Sequence, residues 1–539
     1  MDLVENGIQM RQPVQALMQK NVYRSVTIAS LIMMASVFLS RVIGLFREMV
    51  IAGVGGTRAA VDAYQVAFMI PEILNHLVAS GFLSITFIPI FTGYLANNRE
   101  PEGWKVFSVI MTTFGGALAI LIFWACIFAP SLLSLTAPGF RESPFFPQAV
   151  QMTRIILPAQ FFFFCGGLFM AVQFAKESFM IPALAPIVYN LGIIAGGLIG
   201  GSKNNMVGFA WGVLGGAFLG SFALQFFGAA RAGMRFVPVL DLRHPDLKKY
   251  VLVTIPLMAG LTMTFSTEIF FRFFGSYLPG GSIAGLNYAF RIMFIVVGLV
   301  GQAVGVASYP FMARLVSENR MEELNSLLNT LLRYLVITIP ISVLVIVLRH
   351  EVVLVLFQRG AFTPESTALT ARALAFIMVG AFAFSAQTVV ARGFYAMQNT
   401  LLPAVYGTVA VLLSLPLYVV GMKMMGVNGV ALASALSAIF QVAVLYVIWN
   451  RKRENRGSRA VYASILKILV LSIVLAGFAF AVRTAMLTAV DTTTFAGCAV
   501  MLVVTIGLSV VFLTGVGHIF RIEEISAVLN KISSKLRYR

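Results

Sequence analysis

The chain has 539 residues, of which 59% are hydrophobic and only 11% are charged, and its 39 Lys and Arg residues against 21 Asp and Glu residues give a net charge of +18. This composition excludes an ordinary water-soluble protein, in which roughly 25% of residues are charged, and also a disordered chain, which needs low hydrophobicity. Because a membrane-spanning helix uses about 20 apolar residues, the composition predicts an all-α polytopic membrane protein.

The predicted elements begin with a polar segment and continue as fourteen apolar segments. Residues 1–24 have mixed charge and lack the apolar core and small-residue cleavage site of a signal peptide, so they are predicted to be a cytoplasmic N-terminal segment. Each apolar segment is long enough to cross a bilayer as a helix. The predicted spans are 25–53, 62–96, 105–134, 148–175, 181–201, 206–230, 250–276, 283–315, 325–348, 366–397, 400–422, 427–449, 462–486 and 493–519.

A separation of 221 residues relates the two halves of the chain, and it predicts two pseudo-symmetric six-helix lobes. The N-lobe covers 25–232 and the C-lobe covers 250–450, with two extra helices over 462–519. The alternative is that Gly, Ala, Pro and Phe recur by chance in every membrane protein. Parallel repeats bind substrate between their lobes and alternate access by rocking. The matches are Pro89 with Pro310, Gly139 with Gly360, Phe174-Ala175 with Tyr395-Ala396, Pro182-Ala183 with Pro403-Ala404, and Gly208 with Gly429.

The basic residues are concentrated in the loops that follow the even-numbered spans. The densest cluster is Arg451, Lys452, Arg453, Arg456 and Arg459. Cytoplasmic loops are enriched in Lys and Arg, so both termini are predicted to be cytoplasmic. Residues 233–249 are then a cytoplasmic linker, 451–461 a basic cytoplasmic loop and 520–539 a cytoplasmic tail. This distribution explains most of the net charge without a nucleic-acid partner.

Ionisable side chains within the spans are the candidate functional residues, because a charged side chain inside a bilayer is costly. Arg41 and Glu48 are seven residues apart and therefore share one helix face. Each arginine has two alternatives: a pair with a carboxylate, or a side chain that snorkels to a headgroup. The candidates are Arg41, Arg47 and Glu48 in span 1, Asp62, Glu72 and His76 in span 2, Glu268 and Arg272 in span 7, Arg291 in span 8, and Arg372 and Arg392 in span 10.

The roles of two of these residues, Glu268 and His76, remain open. Glu268 is a candidate Na⁺ or proton site, but it can equally pair with Arg272 one helical turn later. His76 is interpreted as a residue of the cavity or of helix packing. None of the four histidines has the spacing of metal ligands, and the three cysteines form no CxxC motif. No cofactor is therefore predicted.

The intramembrane arginines favour an anionic substrate. Guanidinium is always charged and binds phosphate through a bidentate fork, so a phosphate or pyrophosphate is the expected ligand. The sequence has no Walker loop for ATP and no pattern of a nucleophile with a base. Transport is therefore predicted rather than catalysis.

Several motifs along the first twelve spans are informative together. They are Leu39-Ser40-Arg41-Val42-Ile43-Gly44-Leu45-Phe46-Arg47-Glu48, Val61-Asp62-Ala63-Tyr64, Phe87-x-Pro89, Thr136-Ala137-Pro138-Gly139-Phe140, Ala289-Phe290-Arg291 and Phe357-Gln358-Arg359-Gly360-Ala361-Phe362-Thr363. Each motif alone is weak, but together they are specific, and they resemble the motifs of the MurJ (MviN) lipid II flippases of the MOP exporter superfamily. A count of fourteen spans is also that family's.

The resemblance implies a two-lobed flippase of the bacterial inner membrane with a central cationic cavity. Such proteins move the undecaprenyl-pyrophosphate-linked peptidoglycan precursor from the cytoplasmic to the periplasmic leaflet by alternating access. The family's cavity arginines correspond to Arg41, Arg47 and Arg291, and its span-2 acid corresponds to Asp62, which would orient or neutralise an arginine. Spans 13 and 14 would border a groove for the lipid tail.

The sequence departs from the family pattern at three positions. Asn75 stands where the family has an arginine, Ser80 where it has a glutamate, and Phe290 where it has an acid. Asn75 and His76 are nevertheless predicted to contact the substrate, and the cavity is expected to be less charged than the family pattern.

Three other functions remain open at this point. The first is a flippase for another undecaprenyl-pyrophosphate-linked oligosaccharide, and the second is a MATE-like cation-coupled exporter, against which the excess of arginine argues. The third is a non-transporting scaffold that binds cell-wall synthesis proteins. The energy source is also open between Na⁺ or H⁺ coupling and the membrane potential.

Overall fold

The computed structural model of the chain describes residues 32–76 and 82–519, and every regular element within these ranges is a helix. The predicted N-terminal segment and C-terminal tail, together with Ser80, lie outside the described residues. Lipid offers no hydrogen bonds to the backbone, so long apolar segments satisfy their N–H and C=O groups internally as helices. The predicted all-α class is confirmed.

The N-lobe contains the first eleven helices. The third predicted span covers α5 and most of α6, which meet at Phe128, and the fourth is divided at Leu157 and Pro158 into α7 and α8. The helices are α1 (32–55), α2 (Ala59–Ala67), α3 (Met69–Leu74), α4 (Phe82–Ala96), α5 (Glu100–Ile127), α6 (Ala129–Thr136), α7 (Phe146–Ile156), α8 (Ala159–Ala175), α9 (Met180–Gly200), α10 (Val207–Gly216) and α11 (Leu224–Arg231).

The C-lobe and the two extra helices complete the chain. Helix α12 begins at Pro245, inside the predicted linker, because His244 caps it by accepting from the Asp246 amide. The helices are α12 (Pro245–Gly275), α13 (Ser282–Val297), α14 (Ala303–Ser317), α15 (Met321–Leu335), α16 (Thr338–Val347), α17 (Arg349–Phe357), α18 (Pro364–Met378), α19 (Ala381–Ala396), α20 (Leu401–Met425), α21 (Val427–Lys452), α22 (Ser458–Met486) and α23 (Phe495–Ile519).

Ten helical segments of the described residues are long and apolar enough to cross a membrane, and the pair α18 and α19, bent by 47°, makes eleven. The other three predicted spans correspond to α1, to the succession α2–α4 and to α12. The predicted count of fourteen is consistent with this architecture. The protein is thus a multi-pass membrane protein.

The backbone shows the internal repeat more clearly than the sequence does. Three pairs of residues in the left-handed conformation are each 221 residues apart, and each pair follows corresponding helices of the two lobes: Asn98 with Asn319, Glu177 with Gln398, and Gly233 with Glu454. A non-glycine residue rarely adopts this conformation, so the shared positions indicate one folding pattern used twice.

Glycine pairs pack the corresponding helical hairpins of both lobes. A Cβ at Gly208 would lie 2.3 Å from the carbonyl carbon of Gly200, and a Cβ at Gly421 would lie 2.6 Å from the carbonyl oxygen of Gly429. These pairs are also 221 residues apart. Small residues allow such close backbone approach between membrane helices, so both lobes join their last two helices in the same way.

The chain alternates between two faces of the bundle. We call the face that carries 97–99, 176–179, 232–244 and 453–457 the basic face, and the face that carries 56–58, 276–281, 348–363 and 487–494 the sealed face. Helix α22 packs against α15 and α16 of the C-lobe, and α23 packs against α17 and α22. The two helices outside the repeat therefore extend the C-lobe alone.

At the sealed face the two lobes are joined backbone to backbone. The Ala361 amide donates to the Gly53 carbonyl at 2.7 Å, and the Thr57 hydroxyl donates to the Ser366 hydroxyl at 2.7 Å. Gly56 and Gly360 have positive φ, and a Cβ on either would come within 2.4 Å of a backbone oxygen of the other lobe. The sealed face is consequently closed between the lobes.

Candidate functional site

A polar cavity of about 140 Å³ lies between the lobes, beneath the sealed face. Its N-lobe wall comes from α1, α2, α3 and α9, and its C-lobe wall comes from α12 and α13. Polar and charged side chains at this depth need partners, and the cavity supplies them. Its lining residues are Arg47, Glu48, Ile51, Tyr64, Gln65, Phe68, Glu72, Tyr189, Arg272, Asn287 and Arg291.

The N-lobe wall is organised around Arg47. Its Nη2 donates to Glu48 Oε1 at 2.5 Å, and its Nη1 donates to Asn190 Oδ1 at 3.1 Å. The Asn190 amide nitrogen in turn donates to the Pro186 carbonyl at 2.8 Å, which fixes its oxygen toward the arginine. Helix α9 thereby orients a guanidinium that belongs to α1.

The C-lobe wall carries Arg272 and Arg291 on neighbouring helices. Arg272 donates to both carboxylate oxygens of Glu72 across the lobe boundary, with 3.0 Å from Nη2 to Oε1. Glu268 Oε2 lies 3.5 Å from Nη2 of Arg272 and 3.5 Å from Nη2 of Arg291. Arg291 Nε also lies 3.9 Å from Glu48 Oε1, so the two walls form one continuous network of charges.

Glutamates offset most of the positive charge of the cavity. Three arginines line it together with Glu48 and Glu72, and Glu268 lies 3.5 Å from Arg272 and Arg291. Burial gives the physical reason, because an uncompensated buried charge is strongly destabilising. The Glu268–Arg272 pairing foreseen as an alternative is present. A cation at Glu268 would have to compete with two guanidinium groups.

Some hydrogen-bonding capacity at the site remains unused. Arg47 Nε, Arg291 Nε and Glu48 Oε2 are buried without a hydrogen-bond partner among the described residues. Buried donors of this kind are expensive unless a ligand satisfies them. Two guanidinium groups with free Nε–H, one on each wall, suit an anion that bridges the lobes.

Arg41 lies outside this cavity. It precedes Arg47 by six residues on α1, or about 9 Å along the axis at 1.5 Å per residue, and it is exposed toward the basic face. Its Nη2 donates to Gln302 Oε1 of the C-lobe at 2.5 Å. The structure thus places Arg41 between the basic face and the cavity. The span-10 candidates lie elsewhere: Arg372 lines another cavity and Arg392 packs on Gly305.

Asn75 and His76 follow α3 and are both half-buried. His76 lies near enough to Glu268 and Arg272 to interact with them electrostatically. Asn75 continues the same turn of the chain. Phe290, at the third departure from the family pattern, packs its ring against Phe271 and Phe294 rather than facing the charges.

Asp62 closes the sealed face and does not orient an arginine. It is 2% exposed, and its carboxylate accepts from the Gly281 amide at 2.5 Å and the Ala284 amide at 2.7 Å. These amides form the N-terminus of α13, where a carboxylate is stabilised by free N–H groups and the helix dipole. The expected contact of Asp62 with an arginine is therefore replaced by a latch between the lobes.

Replacing Asp62 by alanine is expected to separate the lobes at the sealed face and to reduce transport at least tenfold. The change removes two charge-assisted hydrogen bonds, each worth about 1.5–3 kcal/mol. Distances between spin labels at exposed Asn204 and Glu365 would report the opening. The exposed Asp491 provides a control, since Asp491→Ala should alter neither readout; an unchanged distance distribution in Asp62→Ala would contradict the latch.

Sequence reasoning missed the uncharged polar residues around the arginines, of which Asn190 hydrogen-bonds to Arg47 while Tyr64, Tyr189 and Asn287 line the cavity. Tyr64, Tyr189, Asn190 and Asn287 are uncharged and therefore did not stand out as expensive intramembrane residues. Glu72 was a span-2 candidate but was not selected as a site residue. A signal was available for Asn190, because an amide within an otherwise apolar span is itself unusual.

Comparison with known proteins agrees with this architecture. The family model described as "Lipid II flippase MurJ" matches residues 51–518. The probable lipid II flippase MurJ of Bdellovibrio bacteriovorus is 26% identical over 514 residues, covering 93% of this chain and 96% of that protein.

Two solved structures share the fold. A lipid II flippase MurJ in an inward closed conformation has a TM-score of 0.73 and 22% identity, covering 91% of this chain and 99% of that one. An inward-facing multidrug resistance MATE family transporter of the MOP superfamily has a TM-score of 0.63 and 15% identity, covering 79% of this chain and 95% of that one. Since the family model spans most of the sequence, the chain belongs to the lipid II flippase MurJ family.

Proposed function

We propose that this protein carries lipid II across the bacterial inner membrane, with Arg47, Arg272 and Arg291 as the site of its pyrophosphate. The observation that carries the proposal is the placement of these arginines on facing walls of one inter-lobe cavity. A pyrophosphate offers several oxygens to bidentate guanidinium groups. The protein acts as a transporter, with no covalent step.

Substrate binding is proposed to proceed by exchange of partners. Each arginine of the cavity is held by a glutamate, which keeps it oriented and neutralised. The pyrophosphate takes over the guanidinium groups, and the displaced carboxylates separate from them. Because Glu48 and Glu72 belong to the N-lobe while Arg291 and Arg272 belong to the C-lobe, this exchange loosens contacts that hold the lobes together.

The direction of transport is proposed from the charge of the loops. Cytoplasmic loops carry the excess of Lys and Arg, so the basic face is assigned to the cytoplasm, both termini are cytoplasmic, and the sealed face is periplasmic. Arg41 would then be the first intramembrane cation met by a headgroup that enters from the cytoplasm. The lipid tail would lie outside the cavity, along the apolar surface of α22 and α23, where Ile473 is 64% and Val503 73% exposed.

Two residues, Asn75 and Phe290, favour testing a second substrate class beside lipid II. Asn75 and Phe290 provide no charge where the family pattern has one, which favours a headgroup that requires fewer ionic contacts. Another undecaprenyl-pyrophosphate-linked oligosaccharide would satisfy that condition, since its pyrophosphate is the same and its sugars differ.

The proposal is tested by flipping assays with the purified protein in liposomes. Fluorescent lipid II and an undecaprenyl-pyrophosphate saccharide without the peptide would be compared, with a membrane-impermeant reagent that scores each leaflet. We expect faster transport of lipid II, and we expect the gene to sustain growth of a bacterium depleted of its own flippase. Transport of the saccharide alone, without growth rescue, would favour the second substrate.

The energy source can be separated in the same liposomes. A membrane potential does work of about 2.3 kcal/mol per charge per 100 mV, which acts directly on an anionic headgroup. Dissipating the potential is therefore expected to slow transport more than dissipating a Na⁺ or a pH gradient. If dissipating a Na⁺ or a pH gradient slows transport more than dissipating the potential does, the result would favour ion coupling. Dissipating the Na⁺ gradient and the pH gradient in separate experiments would then identify the ion.

A further inference from the structure

A second cavity, lined mainly by basic side chains, lies at the sealed face, far along the chain from the inter-lobe site. It has a volume of about 390 Å³ and is formed by α16, α17, α18 and the last turns of α22. Arg349, His350, Arg372 and Arg483 line it, and the remaining lining is one valine and two alanines. Its walls belong to the C-lobe and to one of the two helices outside the repeat.

The positive charge of this cavity lies on the face that otherwise carries few basic residues. Basic residues favour the other face, so three arginines gathered at the sealed face need a reason. Arg483 is held by Glu351, which accepts from its Nε at 2.7 Å and is 0% exposed. Among the described residues, Glu351 pairs with Arg483 alone. The charges of Arg349 and Arg372 are therefore in excess.

The two excess arginines are exposed to the cavity opening. Arg349 is anchored at the break between α16 and α17, where its Nη1 donates to the Ile346 carbonyl at 2.8 Å. Arg372 lies on α18 and makes no ion pair among the described residues, and both side chains are exposed. Two guanidinium groups across an open cavity can bind one phosphate from two sides.

The depth of the cavity points to a lipid as the source of that phosphate. It lies where α16 and α22 reach the end of their apolar segments, which is the level of the headgroups. Val347, Ala368 and Ala371 give it an apolar wall beside the charges. A soluble anion would gain nothing from that wall, whereas the first carbons of a lipid would bury it.

We propose that this cavity binds the phosphate-bearing headgroup of a lipid in the leaflet at the sealed face, through Arg349 and Arg372, with Arg483 positioned by Glu351 as the third cation. An anionic phospholipid and a translocated undecaprenyl-pyrophosphate lipid share this chemistry. The site is independent of the proposed function, because it shares no residue with the inter-lobe cavity.

The test uses a photo-crosslinking amino acid in place of Val347 in the full-length protein. The protein would be placed in phosphatidylcholine nanodiscs that contain either phosphatidylglycerol or undecaprenyl pyrophosphate, and the captured lipid would be identified by mass spectrometry. The same amino acid in place of Leu198, which is 63% exposed on the N-lobe, reports contact with bulk lipid. We expect capture at position 347 to be enriched in the anionic lipid relative to position 198.

The double variant Arg349→Gln with Arg372→Gln is expected to lower that capture about tenfold, since it removes the charge-assisted contacts. Arg141→Gln removes one positive charge from an exposed site on the sealed face and should leave capture unchanged. Arg349→Lys with Arg372→Lys should retain most of it. High salt should weaken capture by the wild-type protein, a readout that needs no substitution.

The lipid that responds identifies the source. If the glutamine double variant loses capture of both lipids, the cavity is a general phosphate site. If it loses capture of phosphatidylglycerol alone, the cavity is a site for membrane lipid. If it loses capture of undecaprenyl pyrophosphate alone, the cavity is a site for the transported lipid after that lipid leaves the inter-lobe cavity. Equal capture by the glutamine double variant and by Arg141→Gln, or no enrichment over phosphatidylcholine, would overturn the proposal.

Discussion

Replacing Arg291 by alanine is expected to reduce lipid II transport at least a hundredfold. Arg291 lies on α13 between Glu268 and Glu48, at 3.5 Å and 3.9 Å from their oxygens. The change removes a guanidinium from the proposed pyrophosphate site and leaves two carboxylates facing an incoming anion. Two lost charge-assisted contacts amount to about 3–6 kcal/mol, and about 1.4 kcal/mol corresponds to tenfold.

Arg47→Ala is expected to have a similar effect from the opposite wall, since it frees Glu48 and Asn190 together. Arg291→Lys should fall between wild type and alanine, because lysine keeps the charge but loses the bidentate fork. Transport in liposomes and growth rescue in a flippase-depleted bacterium are the measurements.

The control for this prediction is Arg314→Ala, which removes an arginine on the basic face whose side chain is 77% exposed and pairs with Glu318. Exposed pairs of this kind contribute little, so transport should be unchanged. Protein levels in the membrane must match among the variants. If Arg291→Ala and Arg47→Ala both rescue growth as well as Arg314→Ala does, the assignment of the pyrophosphate site is wrong.

The sequence was sufficient to predict the helical class and the repeat, and its candidate residues included the three arginines that line the inter-lobe cavity. Composition and apolar segment length reflect the demand of lipid for internally satisfied backbone, so they predict helices reliably. Few residue identities support the 221-residue offset, but the same offset separates residues in the left-handed conformation such as Asn98 and Asn319. Because a charged side chain inside a bilayer is costly, Arg47, Arg272 and Arg291 were among the candidates before their partners were known.

The partners could not be predicted, because they depend on contacts between the lobes. Arg272 and Glu72 are 200 residues apart, and helical spacing relates residues only within one helix. The family resemblance implied that Asp62 would orient or neutralise an arginine. Instead the chain places α13 with its N-terminus toward Asp62, and the free amides there take the carboxylate. The same limitation hid how far the arginines of the cavity are compensated, because that depends on which glutamates of one lobe contact arginines of the other.

Exchanging the charges of Glu72 and Arg272 is expected to separate two roles that Arg272 could have. Each single variant, Glu72→Arg or Arg272→Glu, leaves like charges facing each other inside the membrane, since the wild-type pair is bidentate and Arg272 is almost fully buried. Breaking one partner of such a pair costs about 3–5 kcal/mol. Both single variants should therefore lose thermal stability and transport.

The double variant, Glu72→Arg with Arg272→Glu, restores the ion pair between the lobes with its direction reversed. Recovery of stability should be partial, because a glutamate at position 272 would lie one turn from Glu268 and repel it. Transport should remain lost, since the arginine would then project from the N-lobe, away from Arg291 and the C-lobe part of the proposed pyrophosphate site. Melting temperature and lipid II flipping, measured on the same preparations, distinguish the cases. Recovery of transport together with stability would mean that Arg272 only joins the lobes, and the pyrophosphate site would then consist of Arg47 and Arg291.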